Sequence, residues 1–429
     1  MQFKLTKEEK SWILYDVGNS AFVLMVSTIL PVYFNYLAQK AGVSDVDYLA
    51  YWGYAASIST LIVAFLGPVM GTLADTRGFK KPLFLSCILV GCAGCLLMGL
   101  TTWWISFLVI FIIAKVGFNS SLVFYDSMLS DVTTPERMDR VSSSGYAWGY
   151  AGSCIPFIVS LVFVLGYQKM GLSFDTGMMI AFAVVAVWWL VMSFPLMKQY
   201  RQIHYVERKP HAMRESFGRI IETLRSVRKQ KKIFLFLVAF FFFIDGVYTI
   251  IDMATAYGSA LGLDSTGLLL ALLVTQFVAF PFSILFGRLA EKYDTGKLIL
   301  TCIAAYTGIT VFAVFMKAQW QFWVLAIFVG MFQGGIQALS RSYFAKIVPP
   351  ERSGEYFGLM DICGKGASFM GTTVVGLASQ AFGSINIGIS AIVFLFLAGA
   401  LFFMKTEHSG SESTKNQENV IMGQQMFHD

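Results

Sequence analysis

The chain has 429 residues, of which 56% are hydrophobic and 14% are Asp, Glu, Lys or Arg, and its formal net charge is +6. A soluble globular domain carries about 25% charged residues, so this composition, with a mean hydropathy of +0.65, excludes an ordinary water-soluble protein and indicates a membrane protein. The basic residues lie between apolar runs and form no basic block interleaved with aromatic residues, which argues against nucleic acid as a partner.

Twelve apolar runs are long enough to cross a bilayer, since a helical span needs about 20 residues. Only helices and closed barrels satisfy the backbone in hydrocarbon, and these runs are too long and too uniformly apolar for barrel strands. We therefore predict an all-α membrane protein. The predicted spans are residues 12–38, 49–74, 82–101, 103–130, 141–166, 177–197, 233–261, 265–290, 297–316, 320–347, 354–382 and 384–404. The first run is longer than the core of a signal peptide, so we expect it to be retained.

Lys and Arg residues are distributed unequally between the two sets of loops. One set contains the basic residues within 4–10, 77–81, 137–140, 198–232, 292–297, 346–352 and 405, whereas the opposite set contains Lys40, Lys169 and Lys317. Because loops rich in Lys and Arg stay in the cytoplasm, both termini are expected to be cytoplasmic.

The longest internal polar stretch divides the spans into six and six. The predicted units are an N-terminal half at 1–197, a basic cytoplasmic linker at 198–232, a C-terminal half at 233–404 and a polar cytoplasmic tail at 405–429. Residues 212–228 have the apolar periodicity of an amphipathic helix that lies on an anionic membrane face, and a plain charged linker is the alternative. The tail is expected to be disordered from Glu407 onward.

Two sequence features recur in the second half at corresponding places. The stretch GTLADTRGFKK at 71–81 follows the second span, and GRLAEKYDTGK at 287–297 follows the eighth. Likewise, TPER at 134–137 ends the fourth span and PPER at 349–352 ends the tenth. The repeat predicts a duplicated six-helix unit, an architecture in which the substrate site lies near the midplane between the halves.

Residues 71–81 resemble the loop signature of the major facilitator superfamily, and with the repeat the resemblance extends over nearly the whole chain. WILYDVGNSAF at 12–22 and QGGIQALSRS at 333–342 resemble the branch that includes the fungal vacuolar amino-acid effluxer linked to autophagy and its bacterial relatives. The resemblance implies the major facilitator fold and names amino-acid export as a function to test.

Ionisable residues inside spans are functional hypotheses, because they are expensive in hydrocarbon. Lys115, Asn119 and Asp126 share one face of the fourth span. Near the midplane, Lys115 is expected to bind an anionic substrate group or to pair with an acid on another helix, and a purely structural ion pair is the alternative. Asp245 and Asp252 share one face of the seventh span, where Asp245 is a candidate partner for Lys115 or a proton carrier.

Two further polar stripes are predicted in the second half. Asp361 and Lys365 lie on one face of the eleventh span, either facing the substrate or neutralising each other as an i,i+4 pair. Gln333 and Gln337 line the tenth span, where interhelical hydrogen bonds are the alternative to substrate contact.

A second group of charges is predicted to form a gate at the cytoplasmic end. Asp126 and Arg341 occupy repeat-equivalent places with opposite charge, and we expect them to close this end across the two halves. The family resemblance implies that Asp75 meets the N-terminus of the eleventh helix, near Ser353, in the outward-facing state. Solvated loop charges are the alternative. The full predicted network is Asp16, Asp75, Arg77, Asp126, Arg137, Glu291, Arg341 and Arg352.

The motifs of ATP-driven pumps and of hydrolases are missing from the sequence. Cys92 and Cys95 form a lone C-x-x-C inside a span, which favours helix packing over metal binding. We therefore predict no enzyme activity, cofactor or metal. The predicted function is a secondary transporter of a small solute, such as an amino acid, coupled to protons. We expect a monomer in the cell membrane or a vacuolar endomembrane. The alternatives are a lipid or lysolipid flippase on the same fold and, in another class, a membrane-embedded enzyme or sensor.

Overall fold

The computed structural model describes residues 3–207, 225–260 and 262–425, and these are almost entirely α-helical. The first half contains α1 Lys7–Ser27, α2 Ile29–Lys40, α3 Asp45–Ala74, α4 Lys80–Met98, α5 Trp104–Ser127, α6 Leu129–Val132, α7 Met138–Gly166 and α8 Phe174–Gln199. The second half contains α9 Lys231–Ala260, α10 Ser265–Leu289, α11 Thr295–Val314, α12 Gln319–Ile347, a 3-10 turn at Pro350–Arg352, α13 Ser353–Phe382 and α14 Ile385–Gln425. The prediction of an all-α fold is confirmed.

Eleven helical segments among the described residues are long and apolar enough to cross a membrane. The remaining predicted span, 354–382, coincides with α13, a 30-residue helix that carries the polar stripe of Asp361 and Lys365. Large apolar side chains such as Phe65 and Phe394 are more than 70% exposed on the outside of the bundle. A surface of this kind is stable against lipid, whereas water would disfavour it.

The first span begins earlier than predicted and is broken in its middle. A capping box of Thr6 and Glu9 starts α1 at Lys7, and α1 ends at Ser27. Pro31 lies in the first turn of α2. Proline removes one backbone donor and its ring collides with the carbonyl four residues earlier, so a continuous helix across this point is disfavoured.

The two halves are packed by corresponding helix pairs. In the first half α1 packs against α7, and in the second half the equivalent α9 packs against α13. Between the halves α3 packs against α13, and the equivalent α10 packs against α7, with further contacts of α12 to α7 and of α13 to α5. The helices α3, α7, α10 and α13 therefore form the main part of the interface between the halves, and α5 and α12 add to it.

The linker and the tail differ in how far the structure describes them. Most of the predicted amphipathic helix at 212–228 lies outside the described residues. The tail prediction is wrong in one respect, since α14 continues through Gln425 instead of losing its structure after Glu407. A helix already nucleated in the membrane extends without a new nucleation cost, and Glu407 is anchored by a hydrogen bond from the Tyr343 hydroxyl.

Candidate functional site

Asp75 connects the two halves at one end of the bundle. It caps the C-terminus of α3 and is fully buried. Its two carboxylate oxygens accept hydrogen bonds from the backbone N–H groups of Gly354 (2.8 Å) and Glu355 (2.9 Å) at the start of α13. A helix N-terminus has unpaired N–H groups and a positive dipole end, so it binds a carboxylate well. Burial raises the pKa of Asp75 to about 6, although Lys80 and the two N–H donors oppose that rise.

Glycine makes this contact sterically accessible. A Cβ at Gly71 would lie 2.2 Å from the carbonyl oxygen of Gly354, and a Cβ at Gly354 would lie 2.6 Å from the carbonyl oxygen of Gly71. Both distances are shorter than a nonbonded contact of a Cβ atom allows. The backbones of α3 and α13 can therefore approach each other only because neither position carries a side chain.

Lys80 lies between two buried carboxylates at the same end. Its side chain is fully buried, and its ammonium nitrogen lies 3.7 Å from both Asp75 and Asp131 and donates to the Ser353 hydroxyl at 3.1 Å. A buried cation is tolerated when it is paired in this way. Asp131 was not predicted as a site residue, although it lies three residues before the repeated TPER motif.

The beginning of the linker is attached to Asp131. The backbone N–H of His204 and its imidazole both contact Asp131 Oδ1, at 2.9 and 3.0 Å, and the Tyr200 hydroxyl donates to Oδ2 at 2.5 Å. Burial alone would raise the pKa of Asp131, but the hydrogen bonds from His204 and Tyr200 and the charge of Lys80 hold it below its usual range. The bond to Asp131 raises the pKa of His204.

Arg341 on α12 forms a second connection between the halves. Its guanidinium contacts Asp126 at 3.1 Å and Asp16 at 3.3 Å, and it donates to the hydroxyl (2.9 Å) and the carbonyl (3.0 Å) of Ser142. Arg341 is 3% exposed. The predicted juxtaposition of Asp126 and Arg341 is present in the structure, and the role of this pair as a gate stays a proposal.

Aromatic rings surround the Arg341 guanidinium, which lies 4.5 Å from the ring centroid of Trp12 and 4.4 Å from that of Tyr146. Cation–π contacts of this kind are strongest where water is excluded. Tyr146 was not predicted, since a tyrosine in an apolar span has no distinguishing sequence pattern.

Asp139 on α7 holds a third connection. It accepts hydrogen bonds from Ser342 on α12 (2.6 Å) and from Thr295 at the start of α11 (2.8 Å), and it pairs with Lys346. Its neighbour Arg140 forms an ion pair with Glu291, a residue of the predicted charge network. Asp139 was missed, and its signal was its position two residues after TPER.

The described ion pairs of three arginines of the predicted network lie within one half or between a half and the linker. Arg137 binds Glu9 at 2.7 Å within the first half. Arg352 binds Glu355 at 3.0 Å within the first turn of α13. Arg77 is exposed and contacts Glu207, at the beginning of the linker, at 3.4 Å. These residues stabilise local structure around the closed end.

The predicted substrate stripe lies farther along the interface. Lys365 and Asp361 form the i,i+4 ion pair. Lys115 lies over the Phe111 ring at 5.6 Å, and its charged neighbours are Asp252 and Lys365. The charge of Lys115 in the first half is thus coupled electrostatically to charged residues of the second half. Asn119, one turn from Lys115, is 8% exposed.

The two glutamines of α12 have different surroundings. The Gln333 amide donates to the Tyr150 hydroxyl at 3.3 Å, which joins α12 to α7 across the halves. Gln337 is half-buried one turn further on. For Gln333 the structure therefore shows an interhelical hydrogen bond, which was the alternative to substrate contact predicted from the sequence.

Asp245 does not lie against Lys115. Its Oδ1 accepts from the backbone N–H of Gly371 at 2.9 Å and from the Thr249 hydroxyl at 3.3 Å, so it lies inside the second half between α9 and α13. The predicted pairing of Asp245 with Lys115 is not present in the structure, and the carboxylate whose charge acts on Lys115 is Asp252. The two aspartates share a helix face, but they are two turns apart along it.

Comparisons with known proteins agree with this architecture. Residues 5–415 match the family model described as vacuole effluxer Atg22 like. The chain is 40% identical to an uncharacterized MFS-type transporter, YxiO, of Bacillus subtilis over 98% of its own length and 100% of the relative's. It is 23% identical to autophagy-related protein 22 of Coccidioides immitis, over 80% of this chain and 70% of the fungal one.

Solved structures show the same fold at low sequence identity. A bacterial homologue of the iron transporter ferroportin in an outward-facing state superposes with a TM-score of 0.71 at 14% identity, covering 94% of this chain and 98% of the other. The fucose transporter FucP in its outward conformation gives 0.69 at 13% identity, with coverages of 93% and 97%. The prediction of the major facilitator fold is confirmed.

Proposed function

Because the chain belongs to the vacuole effluxer Atg22-like family of major facilitator transporters, we propose that it carries a small zwitterionic solute of the amino-acid class by alternating access. The observation that carries the proposal is the charge arrangement between the halves. The charges of Asp252 and Lys365 act on Lys115, and Lys365 forms an ion pair with Asp361. An amino acid presents one carboxylate and one ammonium group, and this set offers both complementary charges.

Supplying those charges from both halves suits alternating access. Lys115 lies on α5 of the first half, and the other three lie on α9 and α13 of the second. A bound zwitterion would neutralise both signs at once, so it would lower the cost of bringing the halves together around it.

The direction of opening follows from the distribution of basic loops. The end closed by Asp75, Arg341 and Asp139 carries the basic loops, which favours the cytoplasm for that end. The likeness to two outward-facing structures supports the same orientation. The proposed state is therefore outward-facing with a closed cytoplasmic gate. The proposed location is the cell membrane, supported by the bacterial relative, with a vacuolar membrane as the alternative suggested by the fungal ones.

Coupling to protons is the proposed driving force. The spans contain the carboxylates Asp245, Asp252 and Asp361, whereas the four histidines of the sequence lie in the linker and the tail. A carboxylate in a low-dielectric site can exchange a proton near neutral pH. The word effluxer in the family description supports export as the direction to test first.

Flux measurements in proteoliposomes test the proposal. The purified chain should accumulate labelled amino acids against an imposed pH gradient, with a panel that spans neutral, acidic and basic side chains. Lys115→Ala and Asp252→Asn should reduce uptake at least tenfold, and the exposed Lys169→Ala serves as the matched control. Transport of labelled lysolipid without any soluble solute would instead favour the flippase alternative, and flux unchanged in both variants would overturn the site.

A further inference from the structure

Asp245 is a fully buried carboxylate with an unsatisfied oxygen. Its side chain is 0% exposed. Oδ1 accepts from the Gly371 N–H and the Thr249 hydroxyl, whereas none of the described donors lies within hydrogen-bond distance of Oδ2. Such an oxygen is costly as part of an anion, but it is well placed to carry a proton.

Charged groups that could neutralise Asp245 lie elsewhere. On its own helix the nearest ionisable residues are Tyr248 and Asp252, and on α13 Lys365 precedes Gly371 by six positions, about 9 Å along the helix. On the other packed helices, the ionisable residues are Lys297, Cys302 and Tyr306 on α11, Arg341, Tyr343 and Lys346 on α12, and Arg288 on α10, and the sequence of α14 has none between 386 and 404. Within the described part of the chain, none of them hydrogen-bonds or ion-pairs with this carboxylate.

A metal ion fits the site poorly. The described side chains offer three oxygens, two from Asp245 and one from Thr249, whereas a hard cation such as Ca²⁺ takes six to eight. Over the described ranges, no group of three or more His, Cys, Asp or Glu residues is placed to hold a metal. A proton requires one lone pair, which Oδ2 offers.

The hydrogen bond from Gly371 connects the Asp245 carboxylate directly to the backbone of α13. A Cβ at position 371 would lie 2.3 Å from Asp245 Oδ1 and 2.1 Å from Thr249 Oγ1, so only glycine lets the carboxylate reach the backbone here. Gly371 lies in the interior of α13, where its N–H would ordinarily serve the helix ladder. A side-chain acceptor inserted at such a point competes with that ladder and bends the helix.

We propose that Asp245 is a proton-binding site and that its protonation sets the conformation of α13. The proton comes from water, binds Oδ2 to form the neutral acid, and leaves to water when the carboxylate re-forms. The anion accepts strongly from the Gly371 N–H, and the neutral acid accepts weakly. Loss of the charge therefore releases this N–H to the helix ladder and changes the path of α13 at this point.

Helix α13 contributes residues to three sites. From its N-terminus α13 carries Gly354 at the Asp75 gate, then the Asp361 and Lys365 pair, then Gly371. Gly354 and Gly371 are about 26 Å apart by helical rise. A change of bend at Gly371 moves the gate end of the same rigid element, so proton binding biases the equilibrium between the two open states. The coupling to solute flux rests on the proposed function, whereas the proton site itself does not.

Spin-label distance measurements on the full chain in proteoliposomes test the site without any solute. Labels at Lys169→Cys and Lys317→Cys, both exposed loop positions, report the separation of the halves between pH 5 and pH 9 after the native cysteines are replaced. Above pH 7, where Asp75 with its pKa of about 6 is already ionised, the distance populations should still titrate in the parent, and Asp245→Asn should keep at pH 9 the populations that it has at pH 7. Asp264→Asn, a change at the N-cap of α10, is the matched control and should titrate like the parent.

A second variant tests the same site if Asp245→Asn fails to fold. Thr249→Val removes one donor to the carboxylate, so the titration should remain with its midpoint at higher pH, by about one unit for a tenfold gain in proton affinity. Titration of Asp245→Asn like the parent, or a parent insensitive to pH, would overturn the proton site. If the parent titrates but moves no solute, the proposed function fails and the proton site stands.

Discussion

The backbone N–H of Gly354 donates a 2.8 Å hydrogen bond to Oδ1 of Asp75 across the two halves of the molecule. With its 2.9 Å companion from Glu355, it ties the end of α3 to the beginning of α13. The contact exists only while this end is closed, because the two groups belong to different halves. Changes at Asp75 should therefore alter the balance of conformational states while the affinity for solute in each state is kept.

Asp75→Asn tests this relationship. The amide oxygen can accept one N–H, but the amide NH₂ opposes the other, so two charge-assisted bonds become about one neutral bond. Hydrogen bonds to charged groups contribute about 1.5–3 kcal/mol each, and we expect a shift of roughly tenfold or more toward opening of this end. The rate at which a water-soluble thiol reagent labels a cysteine introduced at the closed end measures this shift. Arg77→Gln, in the same loop at an exposed position, should shift the balance by less than about threefold.

Gly71→Ala is expected to separate α3 from α13. The new methyl group would lie 2.2 Å from the Gly354 carbonyl oxygen, and neither backbone can yield without moving its helix. Spin labels across the closed end should report a larger distance. Gly376→Ala on α13 is the control, because a Cβ there has open space around it and alanine favours the helix. Equal behaviour of both variants would show that the close approach is not required.

Arg341→Gln should destabilise the closed state strongly. It leaves Asp16 and Asp126 without their cation, and breaking a buried pair costs about 3–5 kcal/mol. Thermal unfolding in detergent and accessibility of the closed end measure the effect. Adding Asp126→Asn to this variant should recover part of the loss, since one uncompensated charge is removed. Arg288→Gln, at an exposed position of α10, is the control, and an equal loss there would contradict the assignment.

The attachment of the linker to Asp131 should depend on pH. The pKa of His204 is raised above its usual value of 6.5 by Asp131, so the stabilisation is fully present below pH 6.5 and is lost as pH rises through the raised pKa. Asp131, with its lowered pKa, keeps its charge throughout that range. The protection factors of the backbone amides at 200–207, which are exchange rates corrected for the base-catalysed intrinsic rate, should therefore fall as the pH rises above 6.5.

His204→Gln provides the comparison for that experiment. In this variant the protection factors should be low already at pH 6. They should not fall further as the pH rises, because glutamine does not titrate. Glu207→Gln, where the side chain is 71% exposed, should preserve the pH dependence. A His204→Gln profile that follows the parent would show that the imidazole does not hold the linker.

Several contacts at the closed end could be predicted because they belong to repeated motifs. Asp75 is part of the loop signature at 71–81, and Asp126 and Arg341 occupy equivalent places in the two halves. Asp131 and Asp139 flank TPER and were overlooked, because a carboxylate near a loop normally faces water. Only the packed helices show that both are buried and joined to other elements.

The sequence by itself determined the helical spans, the division into two halves and the family. Apolar runs of membrane length leave the backbone no alternative to helix, and a duplicated motif is visible without knowing any contact. The tertiary structure decided the partner of each buried charge. Asp245 meets the backbone of Gly371 instead of Lys115, because a partner is chosen by how distant helices pack and a backbone N–H has no side chain to mark it in the sequence.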